Sequence, residues 1–208
     1  MVVYAFRNLR RKRSSVSYKA LYFFSYFPLT MQDVLRTIWI LLPAYTPNNF
    51  AVLFGGGTPI DMGKNFIDGK RILGDGKTIR GFVAGVVGGM LVAHAQLLIE
   101  RSFGFNVYSS LPYLQFLQLV FLLSLGAMTG DALGSFIKRR FGVERGKCFP
   151  ILDQLTFLLV AYAFASLSKA FKTLFTLKIM LIGIVITPLL HLGVNVIAYI
   201  LKLKEVPW

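Results

Sequence analysis

Long apolar stretches without charge organise this chain. Residues 81–99, 102–130 and 179–201 carry no Asp, Glu, Lys or Arg, and 154–168 is a shorter stretch of the same kind. Crossing ~30 Å of hydrocarbon at 1.5 Å per residue takes ~20 residues in a helix. The pattern therefore predicts spanning helices at about 81–100, 112–130, 152–170 and 179–201. A fifth, about 34–54, holds Arg36 near its start and then Pro43 and Pro47. Each proline removes one helix hydrogen bond, so this span is expected to kink or break between Pro43 and Asn49. The fold class read from the pattern is an all-α integral membrane protein. It is a bundle of about five transmembrane helices with two functional cytoplasmic loops, forming a single domain over residues 31–208.

The polar positions collect into islands between the apolar stretches. Island 55–80 holds Lys64, Lys70, Arg71, Lys77 and Arg80 with Asp61, Asp68 and Asp75. Island 131–153 holds Lys138, Arg139, Arg140, Arg145 and Lys147 with Asp131, Glu144 and Asp153. Two spans separate the islands, so both lie on one side, and with five spans the tail bearing Lys202 and Lys204 joins them. That side carries 12 basic residues, against Arg101, Lys169, Lys172 and Lys178 on the other. By the positive-inside rule the rich side is cytoplasmic. Residues 1–30 conflict with this, because Arg7, Arg10, Arg11, Lys12, Arg13 and Lys19 would then lie outside. The segment also lacks the apolar run and cleavage site of a signal peptide. Translation is expected to begin at Met31, the alternative being an interfacial amphipathic anchor.

Composition narrows the class. Of 208 residues 55% are hydrophobic and only 15% charged, with mean hydropathy +0.63. This excludes an ordinary soluble domain. An aromatic share of 14% excludes disorder. Twenty-three basic against nine acidic residues give +14. In a soluble protein that would point to nucleic acid. Here Lys and Arg at the headgroups, together with an anionic substrate, account for it, and no nucleic-acid partner is expected. Cys148 is the single cysteine, so no disulfide forms within the chain.

The first island reads Gly55-Gly56-Gly57-Thr58-Pro59-Ile60-Asp61, then Asp68-Gly69-Lys70-Arg71, then Gly74-Asp75-Gly76-Lys77-Thr78-Ile79-Arg80-Gly81. Glycines let backbone pass close to an anion, and Lys77, Thr78 and Arg80 add donors where the next helix starts. The combination suits a phosphate. It is not a Walker A loop, since the position needing the first glycine is Arg71. Alone, Gly-Lys-Thr reads equally as a flexible basic loop resting on headgroups.

The second island opens Gly130-Asp131-Ala132-Leu133-Gly134-Ser135-Phe136-Ile137-Lys138-Arg139-Arg140. If the preceding helix continues, Asp131, Ser135 and Lys138 share one face. Asp153 follows at the head of the next span. Two carboxylates at membrane depth among Lys and Arg are either two salt bridges or a Mg²⁺ site for phosphoryl chemistry.

Gly130-Asp131, Ser135-Phe136-Ile137-Lys138-Arg139 and Leu152-Asp153-Gln154 resemble the signature of the CDP-diglyceride synthases, the membrane cytidylyltransferases. The chain is closer still to their archaeal relatives, the CDP-archaeol synthases. Those are similar in the first island too, in Asp-Gly-x-Arg, Gly-x-Gly-Lys-Thr and the Arg-Gly before a glycine-rich span. The resemblance covers roughly residues 34–205. It implies reaction of CTP with 2,3-bis-O-geranylgeranylglycerol 1-phosphate, an isoprenoid ether lipid phosphate, giving the CDP-lipid and pyrophosphate. It implies Mg²⁺ and an active site in the cell membrane facing the cytoplasm. It makes Asp131 and Asp153 the metal ligands and, with Lys138, the catalytic residues. Gly76, Lys77, Thr78, Arg80, Ser135, Arg139 and Lys147 become nucleotide or phosphate contacts, with Asp61, Asp68, Arg71 and Asp75 as further substrate contacts. The chain departs from the bacterial signature at Thr156, where that signature has a second acid, and it lacks the bacterial histidine-glycine stretch. Bacterial acyl-lipid specificity is therefore not carried over.

The lipid phosphate would attack the α-phosphorus of CTP directly, with no protein nucleophile. His94 and His191 lie in spans and read as packing residues, and Gly81, Gly85 and Gly89 read as a close helix contact or equally as the thinned wall of a lipid groove. The competing class is a membrane transporter or channel with a basic cytoplasmic vestibule for anions. It would place charges inside the spans and show repeats, whereas here the charges cluster at one face and no repeat appears. The CDP-alcohol phosphotransferases differ after Asp68-Gly69. The sequence leaves oligomeric state open, a homodimer included.

Overall fold

A computed structural model describes residues 29–143, 149 and 151–200, without the side chains of 194, 195, 197 and 198. Seven helices are seen among these residues: α1 Met31–Tyr45, α2 Pro47–Phe54, α3 Ile79–Phe103, α4 Tyr113–Arg140, α5 Leu152–Ala165, the single turn α6 Phe171–Leu174, and α7 Leu177–Ile200. The described residues contain no strand, only isolated bridges at Pro59–Thr78 and Asn65–Arg71 within the loop before α3. Two helices, α3 and α4, are long and apolar enough to cross a membrane. Residues 152–165 and 177–193 form shorter apolar helices.

The first apolar stretch is two helices rather than one. Thr30 opens α1 with a full capping box: it receives the Asp33 N–H, and the Asp33 carboxylate receives the Thr30 N–H at 3.0 Å. The break falls at Thr46, and Pro47 starts α2. Pro43 has no N–H for the carbonyl of Trp39, and Pro47 has none for that of Pro43. Both freed carbonyls find donors on other helices. Gln96 Nε2 of α3 donates to Trp39 O at 2.7 Å, and Ser124 Oγ of α4 donates to Pro43 O at 3.0 Å. Without water at this depth such replacement donors are what make a broken helix tolerable.

Apolar burial gives little drive between helices in lipid, so close packing of small residues carries the assembly. A Cβ on Gly126 would lie 2.7 Å from Ala161 Cα, and one on Gly130 2.6 Å from Phe157 Cα. Gly134 faces Thr156 at an ordinary 3.7 Å. Partners on α5 thus descend as α4 ascends, so the two helices are antiparallel. Gly85 of α3 sits in the same way against Pro47 O and Met128, and Gly89 against Pro43 O and Ser124. The glycine stripe of α3 is the seat of the broken α1–α2 segment. His94 packs on Phe116 and bonds to Met90 O and Tyr113 Oη.

The fully buried core of the described residues includes Ile40, Leu41, Ala93, Leu119, Leu123, Leu158 and Ala161. It gathers toward the end of the bundle away from the 55–78 loop. At that end Glu100, 1% exposed, accepts the Trp39 indole N–H and the backbone N–H groups of Val107, Tyr108 and Ser109. Gly104, at φ 75°, terminates α3 in the left-handed conformation that only glycine adopts freely. Asp33 and Lys178 join the first turns of α1 and α7 at 2.6 Å.

Candidate active site

The loop between α2 and α3 is built around one carboxylate. Asp61 accepts two bonds from the Arg71 guanidinium, at 2.8 and 3.2 Å. It accepts three more from the N–H groups of Leu73, Gly74 and Gly63. The Arg71 partner first, and the backbone donors with it, hold the Asp61 carboxyl well below the usual carboxylate range, against the opposing effect of burial. Asp61 in turn raises Arg71. Arg71 also reaches Asp75 at 2.7 Å. Gly74 turns the chain at φ 96°, which brings its N–H onto Asp61 and aims the next residues back toward α3.

Arg140, the last residue of α4, clasps this loop. Its guanidinium rests against the T-shaped pair of Phe66 and Phe136, 4.9 and 4.8 Å from their centroids, which stand 5.3 Å apart. It pairs with Asp68 at 2.9 Å and donates to the carbonyls of Lys70 and Arg71. The Lys70 ammonium donates back to Arg140 O at 2.9 Å. Its terminal nitrogens meet one carboxylate and two carbonyls while the group rests on the aromatic pair, a multiple contact that the single ammonium of Lys could not make.

So held, the loop forms one wall of a cavity of about 520 Å³. Asp75, Gly76, Lys77 and Thr78 face Asp131, Ala132 and Met128 of α4, and Asn48, Ala51 and Val52 of α2, with Gly55 just after it, close the third side. Thr78 caps α3 by receiving the Gly81 N–H at 3.1 Å, so the positive end of a 25-residue helix opens at the cavity. Lys77 Nζ pairs with Asp131 Oδ2 across it. Two turns further along α4, ~10 Å by helix geometry, Lys138 pairs with Asp153 at 2.8 Å. Asp153 also receives the Phe149 N–H at 2.9 Å. Ile151, just before α5, is held at φ 69°, a strained conformation for a β-branched residue and one adjacent to a candidate catalytic acid.

The structure thus brings together Gly76, Lys77, Thr78 and Asp131 at the cavity, with Asp75 beside them. Lys138 and Asp153 form a neighbouring pair. Asp61, Asp68 and Arg71 are engaged in building the loop. Arg80 donates to Phe54 O at 2.7 Å, tying α3 to the end of α2. Ser135 is half-buried on α4, one turn beyond Asp131. Arg139 keeps a buried Nε with no hydrogen-bond partner among the described residues. Lys147 lies outside the described residues. Sequence reasoning missed Asn48, whose signal was a polar residue beside a proline inside an apolar stretch. It also passed over Arg140, read there only as one cation among several.

A family model described as "CarS-like: CDP-archaeol synthase" matches residues 30–208. The chain belongs to the CDP-archaeol synthase family. It is 65% identical over 175 residues to the CDP-archaeol synthase of Archaeoglobus fulgidus, covering 84% of this chain and 98% of that one. Identity to the CDP-archaeol synthase of Methanocaldococcus jannaschii is 45% over 177 residues, covering 83% and 96%. A solved structure described as an intramembrane enzyme for archaeal membrane lipids biosynthesis matches with TM-score 0.65 and 36% identity, over 78% of this chain and 94% of that one. CDP-archaeol synthases are CTP-dependent cytidylyltransferases acting on a lipid phosphate, so this chain is a membrane enzyme of archaeal lipid synthesis and not an anion transporter.

Proposed function

We propose that the protein transfers CMP from CTP to 2,3-bis-O-(geranylgeranyl)-sn-glycerol 1-phosphate, releasing pyrophosphate. The observation that carries this is the cavity whose loop wall places Gly76, Lys77 and Thr78 at the head of α3, opposite Asp131. Backbone N–H groups and the helix terminus suit the triphosphate, and the Lys77 ammonium adds a point charge. Cavities of a few hundred Å³ are the usual size for such ligands. An ionised oxygen of the lipid phosphate displaces pyrophosphate at the α-phosphorus in line. A phosphate nucleophile needs neither a covalent enzyme intermediate nor a strong base, so the protein's work is positioning and charge neutralisation. Lys77, Arg80, Lys138 and Arg139 hold phosphates in this reading.

Mg²⁺ is the proposed cofactor, with Asp131 and Asp153 its proposed ligands at two positions about two helical turns apart. The donor chemistry fits: both are hard carboxylate oxygens, and each faces a cation in this structure, Lys77 or Lys138. Among the described residues no group of three or more His, Cys, Asp or Glu side chains could hold a metal by itself. Mg²⁺ commonly takes one or two carboxylates and completes its shell with phosphates and water. When bound it would neutralise charge on the triphosphate.

Five membrane passes are proposed, with the cavity end cytoplasmic. The antiparallel pairing of α3 with α1–α2 and of α4 with α5 supports alternating passes, and the basic islands support the orientation. The test is pyrophosphate release by purified protein supplied with Mg²⁺, CTP and the lipid phosphate. Replacing CTP by dCTP, ATP or GTP measures nucleotide selection, and cysteine labelling at Lys70 and Arg140 should report one common side.

A further inference from the structure

Asn48 is the one side chain of the α2 wall that offers both donors and an acceptor to the cavity. It is half-buried, and no hydrogen bond links its amide to any described residue. Its amide therefore faces the cavity with its hydrogen-bonding groups open to whatever occupies it. The fold puts it there through the break at Thr46, since Pro47 starts a new helix whose first turn carries Asn48 to the cavity.

The same short helix borders the apolar surroundings. Val52 lines the cavity and is 84% exposed, and Leu53 and Phe54 beside it are also exposed. In a membrane protein an exposed apolar surface of this kind faces lipid. A ligand with its phosphate near Lys77 and its hydrocarbon in the bilayer that passes over α2 brings its glycerol oxygens level with the first turn.

We propose that Asn48 binds the glycerol portion of the lipid phosphate, its amide N–H groups donating to the glycerol oxygens beside the phosphate. This rests on the cytidylyltransferase reading and adds to it the residue that registers the lipid acceptor. Asn48 acts there as a binding residue, with no part in bond making.

The test compares wild type with Asn48→Ala, which removes the amide, and with Asn48→Leu, which keeps the volume without it. Each is assayed for KM of the lipid phosphate in mixed micelles, KM of CTP, and melting temperature. The expected result is a rise of about tenfold in the lipid KM in both variants, the worth of one lost hydrogen bond. KM for CTP and the melting temperature should stay at the wild-type values. A rise in KM for CTP with the lipid KM unchanged would place Asn48 on the nucleotide and overturn the proposal. Unchanged KM values for both substrates, whatever the melting temperature, would overturn it as well. Wild-type turnover is measured in the same series, so failure of the cytidylyltransferase reading shows as absent turnover before any variant is compared.

Discussion

Gly130→Ala tests how the two halves of the site are held together. A Cβ at this position would stand 2.6 Å from Phe157 Cα, 2.7 Å from Thr156 O and 2.9 Å from Val160 Cβ. Two of these are backbone atoms, which no rotamer change can move. Restoring ordinary contact requires α4 and α5 to part by about 1 Å. Overpacking of this kind costs about 1–3 kcal/mol. The displacement falls between Asp131 on α4 and Asp153 on α5, so turnover should drop with stability, a 1 Å misplacement being worth up to about 10²-fold. Gly134→Ala is the internal control. Its Cβ would meet Thr156 at 3.7 Å or more, and alanine is the better helix former by up to about 1 kcal/mol. That variant should be neutral or slightly more stable. The assay is melting temperature and CTP turnover on the same detergent preparations. Wild-type behaviour of Gly130→Ala, or equal damage from Gly134→Ala, would refute the packing argument.

Other consequences are independent of this contact. Ser124→Ala leaves Pro43 O without its replacement donor and should cost about 0.5–2 kcal/mol. In a Pro47→Ala background, where residue 47 regains an N–H for that carbonyl, the cost should largely vanish, and additive effects in the double-mutant cycle would contradict this. Asp61 has a depressed native pKa, so its stabilising contribution is full above about pH 4 and is lost as pH falls below it. Acid denaturation followed by melting temperature should therefore be shallower in Asp61→Asn. A chain beginning at Met31 should insert and stay active, though loss of the Thr30 cap should lower its stability by about 1 kcal/mol. Loss of activity, not restored by beginning at Thr30 instead, would make residues 1–29 structural.

Local features of the fold were legible in the sequence, and distant pairings were not. The break between Pro43 and Asn49 follows from missing N–H groups and needs no tertiary knowledge. The continuation of α4 to Arg140, which sets Asp131 and Lys138 on one helix, follows from an unbroken helical pattern. Gln96 and Ser124, by contrast, read as incidental polar residues in apolar stretches. Their purpose depends on carbonyls freed 57 and 81 residues away. Arg140 could not be told from its neighbouring cations, because its setting is made by Phe66 and the loop around Asp68. The pairing of Lys77 with Asp131 also spans two elements. The sequence placed both in basic, phosphate-suited islands, but only the fold sets them across one cavity. Glu100 follows the uncharged stretch 81–99 with no local sign of its role, and in the structure it is a buried acceptor organising the opposite end.

The central claim is that Asp131 works at the reaction centre and is more than the partner of a structural salt bridge with Lys77. Pyrophosphate release from CTP and lipid phosphate by Asp131→Asn, set beside its melting temperature, tests this most directly. Asn keeps the shape and removes the charge. The account predicts folded protein with turnover down by orders of magnitude and weakened Mg²⁺ dependence. Reduced stability with near-normal turnover in the surviving protein would contradict it and return Asp131 to a salt bridge.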